Sequence, residues 1–206
     1  MDTLNVEITN ADFGKIAIKG KAERTLTLNG SLLTNTVSLV IEGEYFTLAS
    51  ESVTPIDGNI TDAKIKITYK PIAEGTHTAT LKITSDDVDG QTITLTGQAV
   101  QQHTVHFFVN GEEDETLAKK VLSGNTLEEI PTATSCDLLN YPTFAGWTSA
   151  AIEGTTDVKP TMLDLSTPIT SECNYYAVFE KATVGGSSEE QTETHYSTVY
   201  HELKIV

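Results

Sequence analysis

Several residue types are scarce in this sequence, and each scarcity excludes a class of protein. Two cysteines in 206 residues are too few for a disulfide-stapled scaffold or a four-cysteine zinc site. The chain has 13 Lys+Arg against 29 Asp+Glu, a formal net charge of -16. It lacks the clustered cations that grip phosphate, which excludes nucleic acid as a partner and disfavours an anionic membrane surface. No run approaches the roughly 18 apolar residues of a membrane span, so membrane insertion is not expected. The opening MDTLNVEITNADFG has neither a basic n-region nor an apolar h-region, so no signal peptide is read there. A helical apolar stripe is missing throughout. So are a Gly-x-Ser-x-Gly elbow, a Walker loop, a dinucleotide fingerprint and a His-Glu-x-x-His helix. Enzymatic activity within these residues is not expected, and no cofactor is implied.

What is present is period-two alternation and abundant threonine, which favours strands. Ile16 and Ile18 alternate with Lys15 and Lys19, and Leu26 and Leu28 share a face ahead of an Asn29-Gly30 turn. Val37, Leu39 and Ile41 form a third row. Ile65, Ile67 and Tyr69 oppose Lys64, Lys66 and Thr68. Ala79, Leu81 and Ile83 oppose Thr80, Lys82 and Thr84, and Ile93 with Leu95 alternates with threonines. One apolar and one polar face mark antiparallel strands with a wet outer side. Weaker candidates lie at Leu4–Ile8 and Tyr45–Leu48, and this many short strands in about a hundred residues predict a β-sandwich.

The pattern changes after the connector Gln98–His103. Val105, Phe107 and Val109 alternate into an Asn110-Gly111 turn, followed by acidic Glu112–Glu115 and the stretch TLAKKVL, read as a hairpin partner. Residues 124–170 are loop-rich, with Pro131, Pro142, Pro160 and Pro168. NYYAVFE then forms a strand with Tyr176, Val178 and Glu180 on one face and Tyr175, Ala177 and Phe179 on the other. The Gly/Ser/Glu stretch after Lys181 reads as a linker. The acidic excess runs through every segment and reads as a solubility feature.

Residues 104–180, through Thr104–Gly111, Tyr141–Trp147 and Tyr175–Phe179, resemble the Listeria–Bacteroides repeat, the internalin B B-repeat. The first loop, GEEDE, departs from the family's Gly-rich run, and Cys136-Asp137 replaces its usual pair. Residues 1–99 are similar to a Bacteroidetes immunoglobulin-like module of the ASPM–SPD-2–hydin type. The carriers are Asp12-Phe13-Gly14, ITYKPIAEGTHTATLKITSDD and ITLTGQA. The expected fold is therefore all-β: an immunoglobulin-like β-sandwich over 1–99, then a small β-grasp-like domain over 103–182. Residues 183–206 are expected to be a linker and the start of an incomplete or disordered C-terminal segment. The resemblances imply an exported bacterial protein at the cell surface or outside the cell, joined to other domains of the same full-length chain.

Few residues invite chemistry. His103 and His106, three apart on a strand, point to opposite faces and do not readily share a metal. His77 reads as structural, and His195 and His201 lie in the tail. Asp86, Asp87 and Asp89 could offer hard oxygens to calcium, but the EF-hand spacing is missing and Asp89-Gly90 suits a hairpin turn. No metal site is expected. Cys136 and Cys173 can join in an oxidising compartment or remain free thiols. Trp147 can stack a sugar or anchor a partner, whereas the resemblance places it in a small core. Of Tyr175 and Tyr176, alternation turns one outward. Trp147 and Tyr176 are the candidate ligand contacts. The expected function is non-catalytic adhesion or interaction, with a host or dietary glycan or a protein as ligand. The alternative is a structural spacer or accessory domains of a larger exported enzyme.

Overall fold

In the computed structural model, residues 2–8, 10–135, 138–184 and 192–198 are described. The chain divides into two compact units, Met1–Gln101 and Gln102–Val206. All regular structure among the described residues is strand.

The first unit contains β1 (Thr3–Ile8), β2 (Asp12–Ala17), β3 (Ala22–Ser31), β4 (Val37–Glu42), β5 (Phe46–Leu48), β6 (Ser52–Val53), β7 (Asn59–Tyr69), β8 (Gly75–Ser85) and β9 (Val88–Val100). They make two sheets, ordered β1-β3-β7-β5 and β2-β9-β8-β4-β6. All pairings are antiparallel except β2 with β9. The apolar rows of the sequence are the inner faces. Leu26 and Leu28 of β3, Ile67 and Tyr69 of β7, and Leu81 and Ile83 of β8 are all completely buried. This immunoglobulin-like sandwich holds Phe13, Phe46 and Tyr69 in a ring cluster, with centroids 4.6 to 5.9 Å apart. Gly97 lets Tyr69 lie flat on β9, because a Cβ there would stand 2.5 Å from the tyrosine ring.

Two turn expectations are corrected. Asn29-Gly30 is not a turn, since β3 runs through it with a register shift between Leu28 and Gly30. Asn29 Oδ1 accepts the Asp62 N–H at 2.8 Å, and Gly30 leaves room for Leu33. The β8–β9 turn falls at Asp86-Asp87, and Asp89-Gly90 lies inside β9.

The second unit contains β10 (Gln102–Val109), β11 (Glu112–Glu113), β12 (Lys119–Leu122), β13 (Thr143–Thr148), β14 (Cys173–Val184) and β15 (Thr192–Ser197). β10 and β14 lie parallel at the centre of this β-grasp-like sheet, pairing Val105 with Cys173 through Phe108 with Tyr176. The Asn110-Gly111 turn does form, both residues having positive φ (53° and 85°), as a two-residue hairpin turn requires. The expected partner strand is split. Glu112–Glu113 and Lys119–Leu122 pair with β10 separately, around a turn in which Asp114 Oδ1 accepts the Thr116 N–H and hydroxyl.

No helix covers the core face among the described residues. Proline-bearing segments do so instead, because proline removes helical donors. They supply buried Leu127 and Ile169 and half-buried Ile130, Ala133 and Leu163. Thr192–Ser197, expected to lie beyond the domain, is a strand paired to the second half of β14, and Tyr196 bridges to Thr156. Residues 185–191 and 199–206, the latter containing His201, lie outside the described residues.

Candidate functional site

Trp147, carried above as a ligand contact, is corrected by its position. It is 0% exposed, packed edge-on to Phe107 (4.7 Å) and Phe144 (5.5 Å). Its Nε1–H donates to the Pro131 carbonyl at 2.6 Å, and its own carbonyl accepts the Leu163 N–H at 2.7 Å. Every polar group is thus satisfied by the segments that cover it, and no face remains for a ligand.

Tyr176 is on the other side of the sheet. Tyr175, Ala177 and Phe179 are buried in the core, and period two turns Tyr176 away from them. Parallel register sets Phe108 beside it, with ring centroids 5.1 Å apart and planes 30° apart. Both rings are half-buried. The preceding pair, His106 and Asn174, shares this face. Glu113, opposite Phe108 on β11, accepts a hydrogen bond from His106 Nδ1 at 2.5 Å. Toward Val178 and Tyr196 the face is buried; it opens at Phe108 and Tyr176. The result is a two-ring platform edged by a carboxylate, an imidazole and an exposed amide. The part of this stacked pair left exposed could offer apolar contact while the polar groups beside it meet a ligand's hydroxyls. Phe108 was missed in the sequence because its parallel partner lies 68 positions away.

The remaining candidates have structural partners. Asp87 is a clasp: its carboxylate accepts the Thr34 and Asn35 N–H groups (2.8 and 2.6 Å), the Thr34 hydroxyl (2.8 Å) and the Asn35 amide (2.8 Å). These bonds, led by the Asn35 backbone, pull its pKa down to about 2. Among the described residues no group of three or more His, Cys, Asp or Glu side chains is placed to hold a metal ion. His77 Nδ1 lies 2.6 Å from the Tyr69 hydroxyl, and its ring stacks edge-on with Tyr45 at 4.4 Å, a sandwich-end cluster. His195 pairs with Asp157. Cys136 lies outside the described residues, and Cys173 is a half-buried free thiol whose pKa burial pushes up. No helix is long and apolar enough to cross a membrane among the described residues.

No family model and no curated protein matches the sequence. Among solved structures, an ASH/PapD-like domain of human CEP192 is 16% identical, with a TM-score of 0.34 over 47% of this chain and 85% of that one. WR4, an MSP family member of C. elegans, is 12% identical, with a TM-score of 0.31 over 46% and 96%. A protein of unknown function from Porphyromonas gingivalis is 9% identical, with a TM-score of 0.35 over 93% and 80%. No ligand or activity passes from them to this chain.

Proposed function

We propose that the chain is a non-catalytic recognition protein, exported to the bacterial cell surface or beyond, that binds a glycan or protein ligand. The observation that carries this reading is the Phe108–Tyr176 platform with His106, Glu113 and Asn174 around it. Aromatic area with a few polar groups at its edge is what a sugar ring needs, since its C–H face is apolar and its rim is not. The specific modules, an ASPM–SPD-2–hydin-type domain and a Listeria–Bacteroides repeat, are part of the same proposal and rest on the motifs quoted for them.

A spacer is the second reading, favoured by the outer faces of the sandwich, where Lys64, Lys66, Thr84 and Thr94 are exposed and offer no aromatic side chain. The same holds for accessory domains of a larger exported enzyme. The deciding experiment presents the full chain to immobilised glycans, mucins and matrix proteins. Phe108→Ala and Tyr176→Ala should each weaken any binding by about tenfold or more, the loss of one stacked ring, with the circular dichroism unchanged. Binding indifferent to both variants removes the platform, and silence across the panel leaves the spacer.

A further inference from the structure

Two asparagines precede a glycine, Asn29 and Asn110, and the fold treats them in opposite ways. A glycine has no Cβ to shield its nitrogen, so that nitrogen can reach the side-chain carbonyl of the asparagine before it. Asn29 is inside β3. Its Oδ1 accepts the Asp62 N–H at 2.8 Å, and Gly30 is paired on both sides, with Leu4 of β1 and Ile60 of β7. Asn110 is at the hairpin tip between β10 and β11, with φ of 53°, and the exposed Gly111 follows at 85°. Among the described residues neither the Asn110 side chain nor the Gly111 N–H has a hydrogen-bond partner. The strand beyond the tip is two residues long, and its ladder pairs are Val109 with Glu112 and Phe108 with Glu113. Few bonds hold this tip in one conformation, whereas opening Gly30 means breaking a ladder on each side.

We infer that Asn110 is a self-modification site, an amide that the folded chain converts to a carboxylate with water as the co-reactant, and that this conversion loosens the β10–β11 hairpin. The Gly111 nitrogen gives its proton to water and bonds to Asn110 Cγ, an attack within one chain that needs no second molecule to be brought into place. The Cγ–Nδ2 bond breaks, and ammonia leaves carrying the returned proton. Water then opens the five-membered imide at either carbonyl, giving aspartate or isoaspartate at position 110. Loss of ammonia makes the step one-way, so the product accumulates with the age of the molecule. The tip already carries Glu112, Glu113, Asp114 and Glu115, and a fifth carboxylate adds like-charge repulsion to a short hairpin. The isoaspartate form also adds a methylene to the backbone of a turn whose two residues set the strand register. Val109 then no longer faces Glu112 squarely, and Glu113 is drawn from His106 Nδ1, which it holds at 2.5 Å. The consequence for the hairpin is the same whatever the neighbouring aromatic platform binds.

The test ages the full chain at mildly alkaline pH, folded and in denaturant, and follows both asparagines by peptide mass mapping. In the folded chain Asn110 should take on the amide-to-acid mass about tenfold faster than Asn29 or more, the worth of the extra ladder bonds that hold Gly30. In denaturant the two rates should converge, because each asparagine then meets only its own glycine. Asn110→Gly keeps a residue at ease in left-handed backbone and should abolish the change with the fold intact. In the aged chain the His106 ring resonances and the amide protection of the Val109–Glu112 pair should move away from those of Asn110→Gly. Asn110→Asp, which adds the charge without the methylene, should move them less. Equal rates at the two sites in the folded chain overturn the proposal, as does an intact Asn110 in the folded chain while the denatured chain reacts. A modified chain whose His106 resonances match those of Asn110→Gly overturns it too, because the hairpin would then not respond.

Discussion

The two units solve the same problem with different materials. The first closes two sheets on each other, so each strand's apolar row meets another row and the core is built mostly from alternating Leu, Ile and Val around the Phe13–Phe46–Tyr69 cluster. The second has one sheet and no second layer of regular structure among its described residues. Its core face is roofed by irregular chain, and Trp147, Phe107 and Phe144 fill the volume. A core of many similar side chains spreads its dependence over many positions. A core assembled around one large ring concentrates it.

That contrast is broken most directly at Trp147. Trp147→Ala removes the largest buried side chain of the second unit and should cost it about 3–5 kcal/mol. Denaturation followed by circular dichroism and amide exchange should show its transition moved to lower denaturant with that of the first unit unmoved. If both transitions shift together, the units do not unfold independently and the comparison fails.

The two Asn-Gly pairs give a smaller test. Gly111 has φ of 85°, so Gly111→Ala forces a left-handed alanine and should destabilise the second unit by about 1–2 kcal/mol. At Gly30 no left-handed backbone is needed, and an added Cβ instead meets Leu33 Cδ1 at 2.5 Å. Gly30→Ala should therefore act through packing, visible as shifted Leu33 methyl resonances. Left-handed strain at both sites would erase the distinction.

The smallest effect concerns Asp87 and pH. Its folded pKa of about 2 is below the ordinary value of 3.8. The stabilisation it contributes is therefore full above that ordinary value and is lost as pH falls through the folded one. Asp87→Asn should lower the stability of the first unit at neutral pH and flatten its pH dependence between about 4 and 2, leaving the second unit unchanged. An unaltered acid limb would show that the clasp is not thermodynamically coupled to folding.

The first unit was largely legible because period two is a local signal. Leu81 and Ile83 announce a buried face by their spacing from Thr80, Lys82 and Thr84. Turn position was less legible. Asp89-Gly90 has the better turn composition, yet Asp87 takes the turn because Thr34 and Asn35 stand ready to bond its carboxylate from 53 and 52 positions away. The site was half legible: alternation turned one of Tyr175 and Tyr176 outward without saying which, and the stacking partner Phe108 could not be read at all.

Composition and alternation by themselves determined that the protein is all-β, acidic and built on strands with one wet face, since side-chain direction in a strand follows from backbone geometry alone. Only the tertiary structure decided that one Asn-Gly is a turn and the other a bulge. It also decided that Trp147 faces inward, that Phe108 meets Tyr176, and that Thr192–Ser197 completes a sheet. Each of these depends on a neighbour distant in sequence, and local propensity carries no information about which neighbour that will be.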